Sequence, residues 1–131
     1  MKRYGTINSH ISKVLSDLGH TDTIAIADIG LPIPTGITKI DLAVRKGLPD
    51  FLTILSVLLD DMVIEKYFLA EEIIMHNPTI HSKLLEQLEG IEVNYISHEL
   101  FKQRLQHVKV VIRTGEATPY ANCILQAGVA F

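Results

Sequence analysis

The chain has 131 residues, which suits one domain with a real core. It is 47% hydrophobic and 21% charged, with a formal net charge of −3 and basic residues scattered in pairs such as Lys2-Arg3 and Arg45-Lys46. This composition excludes a disordered chain and a basic face for nucleic acid, and the single cysteine, Cys123, excludes an internal disulfide and a Cys-based zinc site.

Ile7, Ile11, Val14, Leu15 and Leu18 recur at helical spacing among polar residues, which predicts an amphipathic helix stopped by Gly19. Thr23–Asp28 is a short apolar run ending in an acid and reads as a buried strand. Gly30, Pro32, Pro34 and Gly36 force the next stretch into a loop. Ile40–Val44 reads as a second strand, and Asp50 as the N-cap of a helix over Phe51–Leu59. Val63–Ala70 follows as a strand. Asn77-Pro78 opens a helix that runs to Gly90, with proline at the first helical position. Ile91–Ile96 alternates as a strand, Ser97 caps a helix to about His107, and Val108–Arg113 and Cys123–Phe131 read as the last two strands.

This alternation predicts a single α/β domain over residues 1–131, a three-layer α/β/α arrangement with a central mixed sheet of about six strands. The N-terminal residues lack the apolar core of a secretory signal. Phe51–Leu59, the most apolar stretch, is far short of the roughly 20 residues a membrane span needs. The expected location is the cytoplasm. Mean hydropathy is +0.25 although aromatic residues are only 6%, so the apolar excess is aliphatic, and some of it is expected between subunits. The apolar stretch Cys123–Phe131 points the same way, with Tyr120 and Asn122 just before it.

No two glycines lie closer than six residues apart, which removes the dinucleotide fingerprint and the P-loop. There is no Gly-x-Ser-x-Gly elbow. His76 and His81 are five apart around a proline, the wrong spacing for two ligands on one helix face. Acid–base chemistry remains.

His20 follows Gly19 at the expected end of the first helix, where the negative end of the dipole favours a charged imidazole. The same position suits a histidine that caps a free carbonyl. Asp28 ends a strand and opens a loop, where α/β sheets place ligands, though it also suits an Asx-turn. His98 and Lys102, four residues apart, share a helix face; like charge there favours neutral His98, and a solvated face is the plainer reading. Arg113-Thr114-Gly115-Glu116-Ala117-Thr118-Pro119-Tyr120-Ala121-Asn122 is a polar segment between apolar runs. If Tyr120–Asn122 is extended, the phenol and the amide point to one side and offer what a polyol needs. As a plain connection, the segment would hold a local Arg113–Glu116 ion pair.

Taken together, Gly19-His20, Ala27–Pro34, Asp41–Val44, Gly47-Leu48-Pro49, Arg113–Asn122 and the final Gly128–Phe131 resemble the D-ribose pyranase and L-fucose mutarotase family, over essentially the whole chain. The Ile29–Pro34 form is similar to the ribose branch. The resemblance implies interconversion of the pyranose and furanose rings of ribose without a cofactor. It implies His20 as proton donor and Asp28, His98, Tyr120 and Asn122 as sugar-binding residues. It also implies a homo-oligomeric ring, a decamer of two stacked pentamers, working beside ribose uptake. Lys102 joins the binding set from its place beside His98. A mutarotase for another sugar such as fucose and a non-catalytic sugar-binding protein are the competing expectations. His98 and Asp28 are alternative acceptors of the anomeric proton.

Overall fold

The computed structural model describes residues 1–131. Helix α1 (Ser9–Asp17) starts where the Asn8 side chain accepts the Ile11 N–H at 3.0 Å. It buries Ile11, while Ile7, expected on the apolar face, lies outside the helix and exposed. Strand β1 (Thr23–Ala27) is followed by the loop and a short β2 (Lys39–Asp41). Helix α2 occupies Phe51–Leu59, as the sequence predicts, and buries Phe51, Ile54, Leu55 and Leu58. Each such side chain contributes about 1.5–3 kcal/mol, so packing rather than helix propensity holds α2. Asp50 occupies the N-cap position, but its side chain makes no cap bond. The Phe51 N–H is taken by Glu116 Oε2 at 3.1 Å, a residue 65 positions away.

Strand β3 (Ile64–Ala70) leads into α3 (Ile73–His76), a short helix the sequence reading omits. Helix α4 (Pro78–Gln87) follows, with proline in its first turn. After β4 (Glu92–Ile96) comes α5 (His98–Arg104), capped by Ser97 Oγ on the Leu100 N–H at 3.2 Å, and a 3-10 turn over Leu105–His107. The last strands, β5 (Val111–Arg113) and β6 (Cys123–Ala127), are shorter than their apolar runs suggest.

The sheet order is β2-β5-β1-β6-β3-β4. β6 is antiparallel to both β1 and β3, while β1, β2 and β5 are mutually parallel, as are β3 and β4. Five strands therefore point one way and β6 the other, which makes the expected mixed sheet. One face packs Ile11, Phe51, Leu55, Leu58, Ile73 and Leu84 against it; the other packs Phe101, Leu105, Val108 and Leu31. These are the three layers, with α1–α4 on one side and α5 with its 3-10 turn on the other. The carboxyl ends of β1, β3, β4 and β5 and the start of β6 all meet at one edge of the sheet. The turn before β1, the start of β3 and the end of β6 meet at the opposite edge.

Candidate active site

Asp28 stands at the carboxyl end of β1, and its carboxylate is fixed on both oxygens. Oδ1 accepts the N–H groups of Gly30 and Leu31, each at 2.8 Å, which is the Asx-type turn that opens the loop. Oδ2 accepts a hydrogen from Asn122 Nδ2 at 3.0 Å, and Asn122 Oδ1 accepts the Asp28 N–H at 2.7 Å. Asn122 is 1% exposed, so this two-way bond is a buried strut between the end of β1 and the start of β6.

Tyr120 is not extended, as the same-side argument supposes. It has a left-handed φ of 57°, and its carbonyl accepts the Asn122 N–H at 2.9 Å. The bend sends the amide to Asp28 and leaves the phenol ring over His98, with centroids 5.1 Å apart at 88°. His98 begins α5, where its backbone N–H donates to the Glu72 carboxylate at 3.0 Å. Its Nδ1 is shielded from solvent and has no hydrogen-bond partner, a buried polar atom left unsatisfied beside the Tyr120 ring. Asp28, Gly30, Pro32, His98, Pro119 and Tyr120 line a cavity of about 330 Å³. Larger clefts of 590 Å³ beside α5 and 480 Å³ between α1 and β2 exist, but neither gathers these groups. We assign the site to the smaller cavity, because donors and acceptors converge there.

The segment carrying Tyr120 is held from below. The Arg113–Glu116 pair of the local reading does not form: Arg113 Nη1 donates to Asp41 Oδ2 at 2.9 Å across β5 and β2. Glu116 is buried, with Oε2 on the Phe51 N–H and Oε1 accepting from Thr118 Oγ1 at 2.8 Å. Asn77 adds two donations, to Thr118 Oγ1 at 2.9 Å and to the Pro119 carbonyl at 2.8 Å. Gly115 permits the approach, since a Cβ there would stand 2.3 Å from the Leu48 carbonyl oxygen.

Two predicted residues lie apart from this pocket. Lys102 is on α5 but its ammonium pairs with Glu99 at 2.7 Å and does not line the cavity. His20 is at the opposite edge of the sheet. Its helix ends at Asp17, and its Nε2 lies 2.8 Å from Glu65 Oε2, so it does not cap the helix. Five residues of β1 separate the two edges, about 16 Å of strand, against a hydrogen-bond reach of about 3 Å. One chain therefore does not bring His20 to Asp28.

Sequence reasoning missed His76, whose ring lies 5.4 Å from that of Tyr120, and it missed Glu72, Asn77 and Glu116 as supports. Asn77 carried a signal, but it read as a helix cap. His81 bonds the Tyr95 hydroxyl at 2.7 Å, away from His76's ring partner. Burial pushes the Cys123 thiol well up, which leaves no thiolate nucleophile.

The chain matches the RbsD / FucU transport protein family over residues 1–130. It belongs to that family. A D-ribose pyranase of Bacillus cereus is 54% identical over 131 residues, covering all of both chains. One of Bacillus licheniformis is 53% identical over the same span. Among solved structures, Bacillus subtilis RbsD complexed with D-ribose superposes with a TM-score of 0.98 at 52% identity, covering 100% of each chain. The fucose mutarotase of Streptococcus pneumoniae in complex with L-fucose shares the fold, with a TM-score of 0.82 at 24% identity over 95% of each chain. No helix is long and apolar enough to cross a membrane.

Proposed function

We propose that this protein is an isomerase that interconverts the pyranose and furanose forms of D-ribose by opening and reclosing the ring. The observation that carries the reading is the full-length likeness to D-ribose pyranases, at 54% identity. Asp28, Tyr120 and Asn122 bind the sugar hydroxyls, His98 faces the anomeric centre, and His20 is the proton donor. Lys102 is a weaker member of the set, since its ammonium is held by Glu99.

The reaction breaks only the hemiacetal C–O bond, so it asks for proton transfer and no cofactor. His20 gives a proton to the ring oxygen as that oxygen takes the C–O electron pair. A base removes the anomeric hydroxyl proton as the aldehyde forms. A different hydroxyl then attacks the aldehyde; its proton returns to the His20 position, and the base reprotonates the carbonyl oxygen. Protons balance over the cycle. Both Asp28 carboxylate oxygens are already taken by three N–H bonds, whereas His98 Nδ1 has no partner; this favours His98 as the acceptor. General acid–base help is worth about 10²–10⁴-fold, suited to a reaction that already proceeds slowly in water.

The separation of His20 from Asp28 by the length of β1 supports a site completed between neighbouring chains of a homo-oligomeric ring, a decamer in the cytoplasm. Met75, Leu100, Val129 and Phe131 are exposed on the single chain and suit such contacts. Each subunit would give its His20 to one neighbour and take another's. The test is saturation-transfer NMR of ribose. The wild-type protein is expected to speed ring exchange, with His20→Ala and Tyr120→Ala each inactive. Refolding the two variants together is expected to restore about a quarter of the sites, since a heterologous ring pairs different surfaces. Ribose binding without faster exchange would overturn the enzymatic reading, faster exchange of fucose than of ribose the assigned sugar, and absence of rescue in mixed oligomers the shared site.

A further inference from the structure

Glu65 occupies a position that regular strand geometry would not give it. Strict alternation puts residues 65, 67 and 69 on one face of β3 and 64, 66 and 68 on the other. Yet Ile64, Tyr67 and Leu69 all belong to one core cluster, while Phe68 and Ala70 belong to the other. The register explains it: Ile64 pairs with Ala127 and Lys66 with Gln126, two steps on β3 for one on β6. Glu65 is the extra residue of a β-bulge, a device that re-aims a side chain. The bulge gives the core position to Ile64 and turns the Glu65 carboxylate outward to His20.

Both carboxylate oxygens are engaged there. Oε2 is 2.8 Å from His20 Nε2, and Oε1 accepts from Gln126 Nε2. The His20 turn is fastened on each side. Gly19 N–H donates to Asp22 Oδ2 at 2.9 Å, and Thr21 N–H donates to the Ala127 carbonyl at 3.0 Å. Thr21 holds a left-handed φ of 73°, a strained backbone for a β-branched residue. Gly128 lets β6 leave flush against the bulge, since a Cβ there would lie 3.2 Å from Glu65 Cβ.

We infer that Glu65, anchored by Gln126, is the positioning residue for His20: it takes the Nε2 hydrogen and so presents Nδ1 to the sugar. This rests on the reading of His20 as proton donor. With Nε2–H committed to the carboxylate, Nδ1 is the nitrogen that carries the transferable proton. The carboxylate also stabilises the imidazolium while His20 is charged. The His20 hydrogen bond, aided by Gln126, holds the Glu65 carboxyl below the usual range, so it remains an anion at neutral pH.

The experiment compares Glu65→Gln, Glu65→Ala, Gln126→Ala and His20→Ala as full assemblies, with far-UV circular dichroism and size confirming the fold. Exchange of ribose is followed by NMR, and ring-labelled ¹⁵N-histidine reports the His20 tautomer. Glu65→Gln and Glu65→Ala are expected to lower kcat about 10- to 100-fold, the loss of one charge-assisted bond to the imidazolium, with KM held within about twofold. Gln126→Ala is expected to lower kcat about threefold, since the anion remains and only its anchor is lost. In Glu65→Ala, the neutral ring is expected to lose its Nε2–H preference. Wild-type kcat and an unchanged tautomer in both Glu65 variants, beside an inactive His20→Ala, would overturn this inference alone. A fully active His20→Ala would overturn the proton-donor reading, and the inference with it.

Discussion

Exchanging Asp28 and Asn122 tests whether the strut beneath the pocket works as its geometry states. With Asp28→Asn, the new amide oxygen can keep the Gly30 and Leu31 N–H bonds, but its nitrogen then faces the nitrogen of Asn122. Rotating the Asn122 amide moves the conflict to the Asp28 backbone N–H, which Asn122 Oδ1 accepts at 2.7 Å. Asn122 is 1% exposed, so water offers little relief. A buried donor left without a partner costs about 1–3 kcal/mol. Asn122→Asp alone sets two carboxylates at the same contact and is expected to cost at least as much. In the double exchange, the amide at position 28 donates to the carboxylate at 122, whose other oxygen keeps the backbone N–H, so every bond is satisfied again. The double variant is therefore expected to exceed the sum of the singles by about 1–3 kcal/mol. Urea denaturation followed by far-UV circular dichroism, with all variants at one protein concentration, reads this. Additivity to within about 0.5 kcal/mol would refute the strut. Ring exchange should stay low in the stable double variant, since the negative charge no longer stands at the loop.

Gly115→Ala drives a Cβ to 2.3 Å from the Leu48 carbonyl oxygen and 2.6 Å from that of Arg45, both backbone atoms. With the Gly47-to-Gly115 and Gly115-to-Pro49 bonds also disturbed, the expected loss is about 3 kcal/mol by denaturation; a midpoint near wild type would contradict the close approach. Thr21→Gly removes a left-handed strain of about 1–2 kcal/mol and adds unfolded-state freedom of about 0.5–1 kcal/mol, so stability is expected to hold or rise slightly. The Asp41 carboxyl is held below its ordinary value first by the Ala43 N–H and then by Arg113. A depressed carboxylate contributes stability above its unfolded pKa of about 3.9, lost as pH falls through the lower folded value. Melting between pH 5 and 2 should therefore fall less steeply in Asp41→Asn than in wild type, by no more than about 1 kcal/mol for so exposed a pair.

Several elements of this molecule were legible in the sequence. Phe51–Leu59 forms its helix because the signal is local, an apolar face at i, i+3 and i+4 beginning after a turn. Ser97 caps α5 for the same reason. Asp28 stood out at the end of an apolar strand, Tyr120 and Asn122 in a polar segment between apolar runs, and His98 in the first turn of a capped helix; all five parallel strands end at the edge of the sheet where Asp28 stands. The structure gathers Asp28, His98 and Tyr120 around one cavity, with Asn122 buried behind it and bonded to Asp28.

What the sequence left open depends on partners far along the chain. Asp28 and Asn122 are 94 positions apart, and their bond exists because β6 inserts antiparallel between β1 and β3. Arg113 pairs with Asp41 rather than its neighbour Glu116 because parallel register sets β5 beside β2, while Glu116 turns inward to the start of α2. Glu65 faces His20 only because β3 carries one more residue than β6 at that point. Local spacing determines which segments become helix or strand and which polar residues close them, since those energies arise within a few residues. Sheet order, register and the bulge are decided by long-range packing, and they alone put Asp28 at one edge of the sheet and His20 at the other.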